Sequence, residues 1–387
     1  MERKASIAVI GCGHFAQNQH ISNLIRAQKV NVNLCCFCDK NQETLDDLAR
    51  RFPGIKTETD YKKVLADPEI DGVVIATKPD FHVPLTLDAL MAGKHVYVEK
   101  PLAETSEDCA KVLEAEKKSG KRVFVGMNRR LAPSYRDAKR ILDGNGGMKT
   151  AYYRISDAFS MEWGKTGNYL GTRMLNECCH VIDILRYFAG SEVKKVYCFA
   201  SRLDEENVTI EFENGSCAMM MSTGFAPYET PKERFEAVSD YGVVTVDDFC
   251  ELHAFGIEGA PETKCYEGHW HVEKEQFHKI YAAREGLKAD IAHRKFYAEF
   301  MQKMNELDQD SKEYKEMYNY WATRMPLVNY SVDKGWYGAI EHFADFIVNN
   351  VPVEAATATD GYRVGKIIEA IIESRDTGKV VELTYDI

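Results

Sequence analysis

The chain has 387 residues, with 49 Lys and Arg against 60 Asp and Glu and a formal net charge of −11. That acidity disfavours nucleic acid or an anionic membrane surface as a partner, and no apolar run reaches the roughly 18 residues that would cross a bilayer. The 11 cysteines, several inside apolar stretches (Cys35, Cys36, Cys38, Cys198), fit buried thiols in a reducing compartment better than a disulfide framework.

Met1-Glu2-Arg3-Lys4 enters a strand at once and leaves no room for a signal peptide, so a cytoplasmic protein is expected. Ala5–Ile10 is a short apolar strand that runs into Gly11-Cys12-Gly13-His14-Phe15-Ala16 and a helical stretch through Ile25. A second strand, Val32 to Cys38, ends at Asp39. Gly72–Thr77, His95–Val98 and Arg122–Gly126 are further buried strands, and helical patterns at Glu43–Phe52, Val83–Ala92 and Ser106–Ser119 fill the gaps. This alternation predicts an α/β fold whose first domain, residues 1–127, is a doubly wound parallel sheet.

After Gly144-Asn145-Gly146-Gly147 the rhythm changes. Strands at Ala151–Ile155, Val193–Ser201, Val208–Glu213, Cys217–Thr223, Arg234–Ser239 and Val243–Val246 follow with one helix among them, around Met174–Ala189. Residues 128–387 therefore read as an α+β domain with a mostly antiparallel sheet. Ile257 to Asp333 fits neither pattern; it reads as a helical insertion, with helices at Gln276–Glu306 and Lys312–Thr323, forming a lid, a subunit contact or extra surface. Helices at Ala339–Asn349 and Gly361–Ser374 and a strand from Val380 to Leu383 close the chain.

Three groups of residues carry chemistry. Gly11-x-Gly13-x-x-Ala16 lies between a strand and a helix, as a dinucleotide site requires. Gly11 makes the tight turn, Gly13 lets backbone approach a pyrophosphate, and Ala16 allows close helix packing, with His14 and Phe15 in the same turn. Asp39 at the end of the next strand suits ribose hydroxyls and disfavours a 2′-phosphate; Lys40 beside it keeps NADP open alongside NAD. Thr77, Pro79 and His82 follow another strand and either line the nicotinamide side of the cleft or form a plain loop and cap. Second, Glu99-Lys100-Pro101 puts a lysine at the carboxyl end of a buried strand, where open α/β sheets hold their ligands, on a corner stiffened by proline. Third, Asn176, His180 and Asp183 are spaced i, i+4, i+7 on one helix face, a grouping suited to proton handling; a histidine packed between domains is the alternative. Neither the Cys35, Cys36, Cys38 cluster nor Cys178-Cys179 has a second ligand pair at zinc spacing, so no metal is assigned. No base is identifiable for a cysteine nucleophile.

Together these residues resemble the Gfo/Idh/MocA oxidoreductases, the glucose–fructose oxidoreductase and inositol dehydrogenase group. The likeness runs through Gly11–Ala16, Asp71–Thr77, Ala92-Gly93-Lys94-His95-Val96-Tyr97-Val98-Glu99-Lys100-Pro101, His180-Val181-Ile182-Asp183 and the ending Ser374–Leu383, and leaves out Ile257–Asp333. It implies an N-terminal Rossmann domain, a C-terminal open sheet that makes subunit contacts in a homo-oligomer, and NAD(P)-dependent oxidation or reduction of a secondary alcohol on a sugar or cyclitol. Lys100 and His180 match the family's catalytic pair; Glu99 lies beside the cofactor. The family often has aspartate where Asn176 stands, and an amide cannot accept a proton. Asn176, Asp183, Arg129, Tyr169 and Trp163 are expected to bind hydroxyls, orient the imidazole or stack on a sugar. The 3-hydroxyl of a glucoside is the narrow expectation, with free inositol or aldose next; an NAD-dependent glycosidase and a non-catalytic NAD-binding sensor are the readings from other classes.

Overall fold

The computed structural model of the chain describes residues 3–385 except 29, 159–172, 267, 271–278, 282–285, 309 and 318–329. Its first sheet holds β1 (Ala5–Ile10), β2 (Val32–Cys38), β3 (Lys56–Glu58), β4 (Gly72–Ile75), β5 (His95–Val98) and β6 (Val123–Val125). The order is β3-β2-β1-β4-β5-β6, and every neighbouring pair is parallel. β4 and β6 are buried along their whole length, which is why they read as continuous apolar runs. The crossovers are a π-helical turn, Ala16–Ile21, that runs into α1 (Ser22–Ala27), then α2 (Gln42–Arg51), α3 (Tyr61–Ala66), α4 (His82–Met91) and α5 (Ser106–Ser119). The strand order reverses between β1 and β4. A crevice therefore opens at their carboxyl ends, beyond Ile10 and Ile75.

The second sheet has nine strands: β7 (Thr150–Ser156), β8 (Val193–Arg202), β9 (Glu205–Phe212), β10 (Cys217–Thr223), β11 (Glu233–Val238), β12 (Val243–Asp247), β13 (Glu251–Phe255), β14 (Thr263–Cys265) and a last strand, Val381–Glu382. β7 and β10 run parallel; the other pairs are antiparallel. One face is packed by α6 (Pro133–Gly144) and α7 (Cys179–Ala189). Phe188 of α7 stacks on Phe235 of β11 at 4.2 Å between ring centroids, and Tyr135 of α6 leans on both. Such ring contacts add about 0.5–1.5 kcal/mol each to plain burial.

Two expectations need correction. The segment 257–333 is not simply helical. It contributes a three-stranded sheet of β15 (Gly268–Trp270), β16 (Lys279–Tyr281) and β17 (Tyr330–Val332). Within the helix expected over Gln276–Glu306, Lys279-Ile280-Tyr281 instead pairs with β15, and α8 spans Leu287–Asn305 after Gly286 at φ +50°; residues 276–278 and 282–285 lie outside the described residues. Residues 312–317 are helical, and the remainder of the expected Lys312–Thr323 helix lies outside the described residues.

The chain also does not leave the first domain for good at 127. α9 (Trp336–Asn349) returns to the parallel sheet, where Phe343 meets Tyr97 and Phe124 at 6.0 and 5.5 Å and Phe346 meets Phe124 at 5.3 Å. α10 (Ala358–Thr377) then touches both domains: Glu369 accepts from the Ser106 backbone and hydroxyl, and Ser374 accepts from the Cys198 amide in β8. Phe343 is fully buried. Replacing it with alanine is expected to cost about 3–5 kcal/mol, read as a lower urea midpoint by far-UV circular dichroism.

Candidate active site

The turn after β1 is built around Gly11. Its φ is +87°, and a Cβ there would lie 2.6 Å from the Ala76 carbonyl oxygen and 2.8 Å from Thr77 Cγ2, so only glycine fits. Gly13 faces open space, and Gly13, His14 and Phe15 form an exposed lip at the start of the helical segment, with Ala16 buried behind them. Asn18 Nδ2 and His14 Nε2 lie 2.9 Å apart, while Phe15 meets His20 and Trp336 edge-on. Asp39 sits at the end of β2 over this turn: Oδ2 accepts from the Cys12 amide at 2.7 Å and Oδ1 from the Asn41 amide at 2.9 Å. An open glycine lip, amides at a helix start and a carboxylate fixed at the next strand end fit a dinucleotide with free ribose hydroxyls. The neighbouring Lys40 ammonium lies over the Phe81 ring, 5.4 Å from its centroid.

The Glu99-Lys100-Pro101 corner follows β5, with a cis bond between Lys100 and Pro101. Glu99, expected beside the cofactor, is instead an internal brace. It is buried, accepts from His20 Nε2 at 2.8 Å and from the Lys100 amide at 3.1 Å, and fills space that a Cβ on Gly126 would take. Burial alone would raise its pKa; the His20 hydrogen bond and the Lys100 charge outweigh that and hold the carboxyl below its usual range. His82 is likewise an internal clamp behind the turn after β4. Its buried imidazole lies between the Pro101 carbonyl, 2.7 Å from Nδ1, and the Thr77 carbonyl, 3.2 Å from Nε2, and the neutral ring donates to one of the two. Burial lowers its pKa and keeps it neutral. Thr77 and Pro79 stay partly exposed, and Pro79 borders a cleft of about 300 Å³ with Pro101, Ala103 and Leu175.

Across the crevice a π-helical turn, Met174–Cys178, leads into α7. Lys100 Nζ donates to the Asn176 carbonyl at 2.8 Å, which joins the parallel sheet to this helix. His180 is buried; burial, then the Arg129 and Lys100 charges, push its pKa well below the ordinary histidine value, so the imidazole is neutral. Its Nδ1 has no hydrogen-bond partner among the described residues.

Two expected substrate contacts are committed elsewhere. Asp183 forms a fork-to-fork pair with Arg130, at 2.9 and 2.5 Å, and that guanidinium also reaches Asp360. The carboxylate is thus engaged by Arg130, and no hydrogen bond between it and the His180 imidazole is present among the described residues. Arg129 is held by both oxygens of buried Glu233, at 2.8 and 2.6 Å, with Tyr153 donating to the same carboxylate at 2.6 Å. It reaches the site only as a charge beside His180. Trp163 and Tyr169 lie outside the described residues. Burial raises the Cys178 and Cys179 thiols to about 11 and about 12, which leaves neither as a thiolate nucleophile.

Sequence reasoning passed over Glu177 and Lys232. Glu177 Oε1 lies 3.9 Å from Lys100 Nζ, and Oε2 accepts from Lys232 Nζ at 2.8 Å. The 55 residues between the two partners offered no spacing signal.

A family profile described as "Oxidoreductase family, NAD-binding Rossmann fold" matches residues 5–127, and the GFO/IDH/MocA C-terminal domain matches residues 148–245. The chain belongs to the Gfo/Idh/MocA oxidoreductase family. Inositol 2-dehydrogenase 2 of Saccharopolyspora erythraea is 30% identical over 275 residues, 66% of this chain and 78% of that protein. The scyllo-inositol 2-dehydrogenase (NAD(+)) of Bacillus subtilis is 29% identical over 243 residues, 59% and 70% of the two chains. A levoglucosan dehydrogenase in complex with NADH and levoglucosan superposes with a TM-score of 0.72 at 20% identity, covering 98% of this chain and 99% of that one. The protein is thus an NAD-dependent oxidoreductase with the family's Rossmann domain. Gly11→Ala, forced into a left-handed conformation that costs about 1–2 kcal/mol, is expected to weaken NADH binding about tenfold or more, measured by quenching of intrinsic fluorescence.

Proposed function

We propose that the protein oxidises a secondary alcohol of a sugar or cyclitol, with Lys100 and His180 carrying the proton chemistry. The observation behind this reading is the crevice in which the Lys100 ammonium and a neutral His180 come together past the glycine turn. NAD, held by the turn at Gly11–Ala16 and by Asp39, supplies the hydride acceptor when bound. Lys100 donates a hydrogen bond to the reacting oxygen and offsets the negative charge that grows there. His180 takes the hydroxyl proton, a task its neutral imidazole is free to perform. Asn176 lends its carbonyl to Lys100; its amide side chain cannot serve as a base.

Because burial and two cations hold His180 unprotonated, the acidic limb of the oxidation rate is expected below the range of an exposed histidine, about pH 6.5. Lys100→Met and His180→Ala are each expected to lower turnover roughly 10²–10⁴-fold, followed as NADH absorbance on a panel of inositols, aldoses and alkyl glucosides. Retention of activity within a few-fold would overturn the assignment. Two inositol dehydrogenases among the relatives favour the cyclitols in that panel; oxidation of glucosides alone would favour the glucoside 3-hydroxyl instead.

The outer face of the nine-stranded sheet supports a homo-oligomer. Tyr197 and Met219, both exposed, line up through Thr209 across β8, β9 and β10, with exposed Phe199 alongside. Phe199→Asp is expected to shift the sedimentation coefficient toward the monomer; an unchanged value places the contact elsewhere.

A further inference from the structure

Glu177 is a partly buried carboxylate at the site, its side chain 16% exposed, that the proton chemistry above does not use. Its two oxygens face two different lysines, Lys100 at 3.9 Å and Lys232 at 2.8 Å. Lys100 comes from the parallel sheet, while Lys232 immediately precedes β11 of the other domain. We propose that Glu177 is a positioning residue for the oxidation: as the shared counter-ion of Lys100 and Lys232, it sets the charge and the aim of the Lys100 ammonium. This rests on the assignment of Lys100 to the reacting oxygen.

The surrounding charges define what Glu177 does. Around it stand Lys232, Lys100, His180, Arg129 and Arg173. Burial opposes its ionisation, but the two lysines more than reverse that, and the group is held well below the usual carboxylate range. Lys232 faces Asp157 and Glu233 as well as Glu177, which together keep it charged despite its burial. Glu99 and His82 are the titratable groups that approach Lys100 from the first domain. The Cys178 and Cys179 thiols are protonated and add no charge.

Removal of the Glu177 charge therefore leaves two ammonium groups without the anion between them. The Lys100 proton is then held less tightly, by about one pH unit or more for loss of an opposite charge at this range. Removal of Lys232 does the reverse, because the whole carboxylate charge then falls to Lys100. Opposite signs from two substitutions in one ion cluster are not what a merely structural role would produce.

The test measures kcat/KM against pH with a substrate found in the panel above. In parallel, competitive labelling of Lys100 by trace acetic anhydride, read by mass spectrometry, reports its protonation without turnover. Glu177→Gln is expected to move the alkaline limb and the Lys100 labelling midpoint to lower pH, with kcat falling more than KM rises. Lys232→Met is expected to move both to higher pH, and Glu177→Asp to restore most of the wild-type profile. Unshifted labelling in both Glu177→Gln and Lys232→Met, while Lys100→Met is inactive, would overturn the role of Glu177 and leave that of Lys100 standing. Full activity in Lys100→Met would instead remove the assignment on which it rests.

Discussion

A single hydrogen bond, from the Lys100 ammonium to the Asn176 carbonyl, gives the two halves of this molecule a common site. The donor is fixed at the end of a parallel strand and the acceptor in a widened helical turn of the other domain. The acceptor is a main-chain carbonyl, so its position is set by the course of that turn. Behind the donor, Glu99 ties His20 of the helical segment after the glycine turn to the Lys100 backbone, so that segment and the lysine corner share one buried carboxylate. Behind the acceptor, the Arg130 fork on Asp183 holds α7 in register.

Such a site needs charge in places where charge is costly. Isolated buried ions would be expelled or neutralised. Here each is paired: Arg129 with Glu233, Arg130 with Asp183 and Asp360, Lys232 with Glu177 and Asp157. The exception is His180, which burial first and then the Arg129 and Lys100 charges keep neutral. Paired ions around one uncharged imidazole amount to a field fixed by the fold, the arrangement that the proposed proton chemistry calls for.

Much of this was legible in the sequence, for reasons that particular residues make plain. Buried parallel strands are apolar along their whole length, and Gly11 is irreplaceable where φ is positive and the Ala76 carbonyl crowds the turn. The Lys100 corner announced itself by its place after a strand. β3 escaped notice because its three residues are polar and mostly exposed, and α3 is too short to show a period. The internal partners of Asp183 and Arg129 could not be read ahead because an ion pair leaves no trace in local spacing: 53 positions separate Arg130 from Asp183, and 104 separate Arg129 from Glu233. Helical periodicity shows which residues share a face, and only the fold shows what that face meets. The strand at Lys279–Tyr281 was read as helix because three residues are too few to establish a period of two.

The return of α9 to the parallel sheet has a topological consequence. Because Phe343 and Phe346 complete the core beneath Tyr97 and Phe124, the nucleotide-binding half is assembled from both ends of the polypeptide. A ribosome that has released only the first 127 residues has not yet made all of that half. The core on that side of the parallel sheet can therefore close only after α7 and β7 to β14 have already been synthesised.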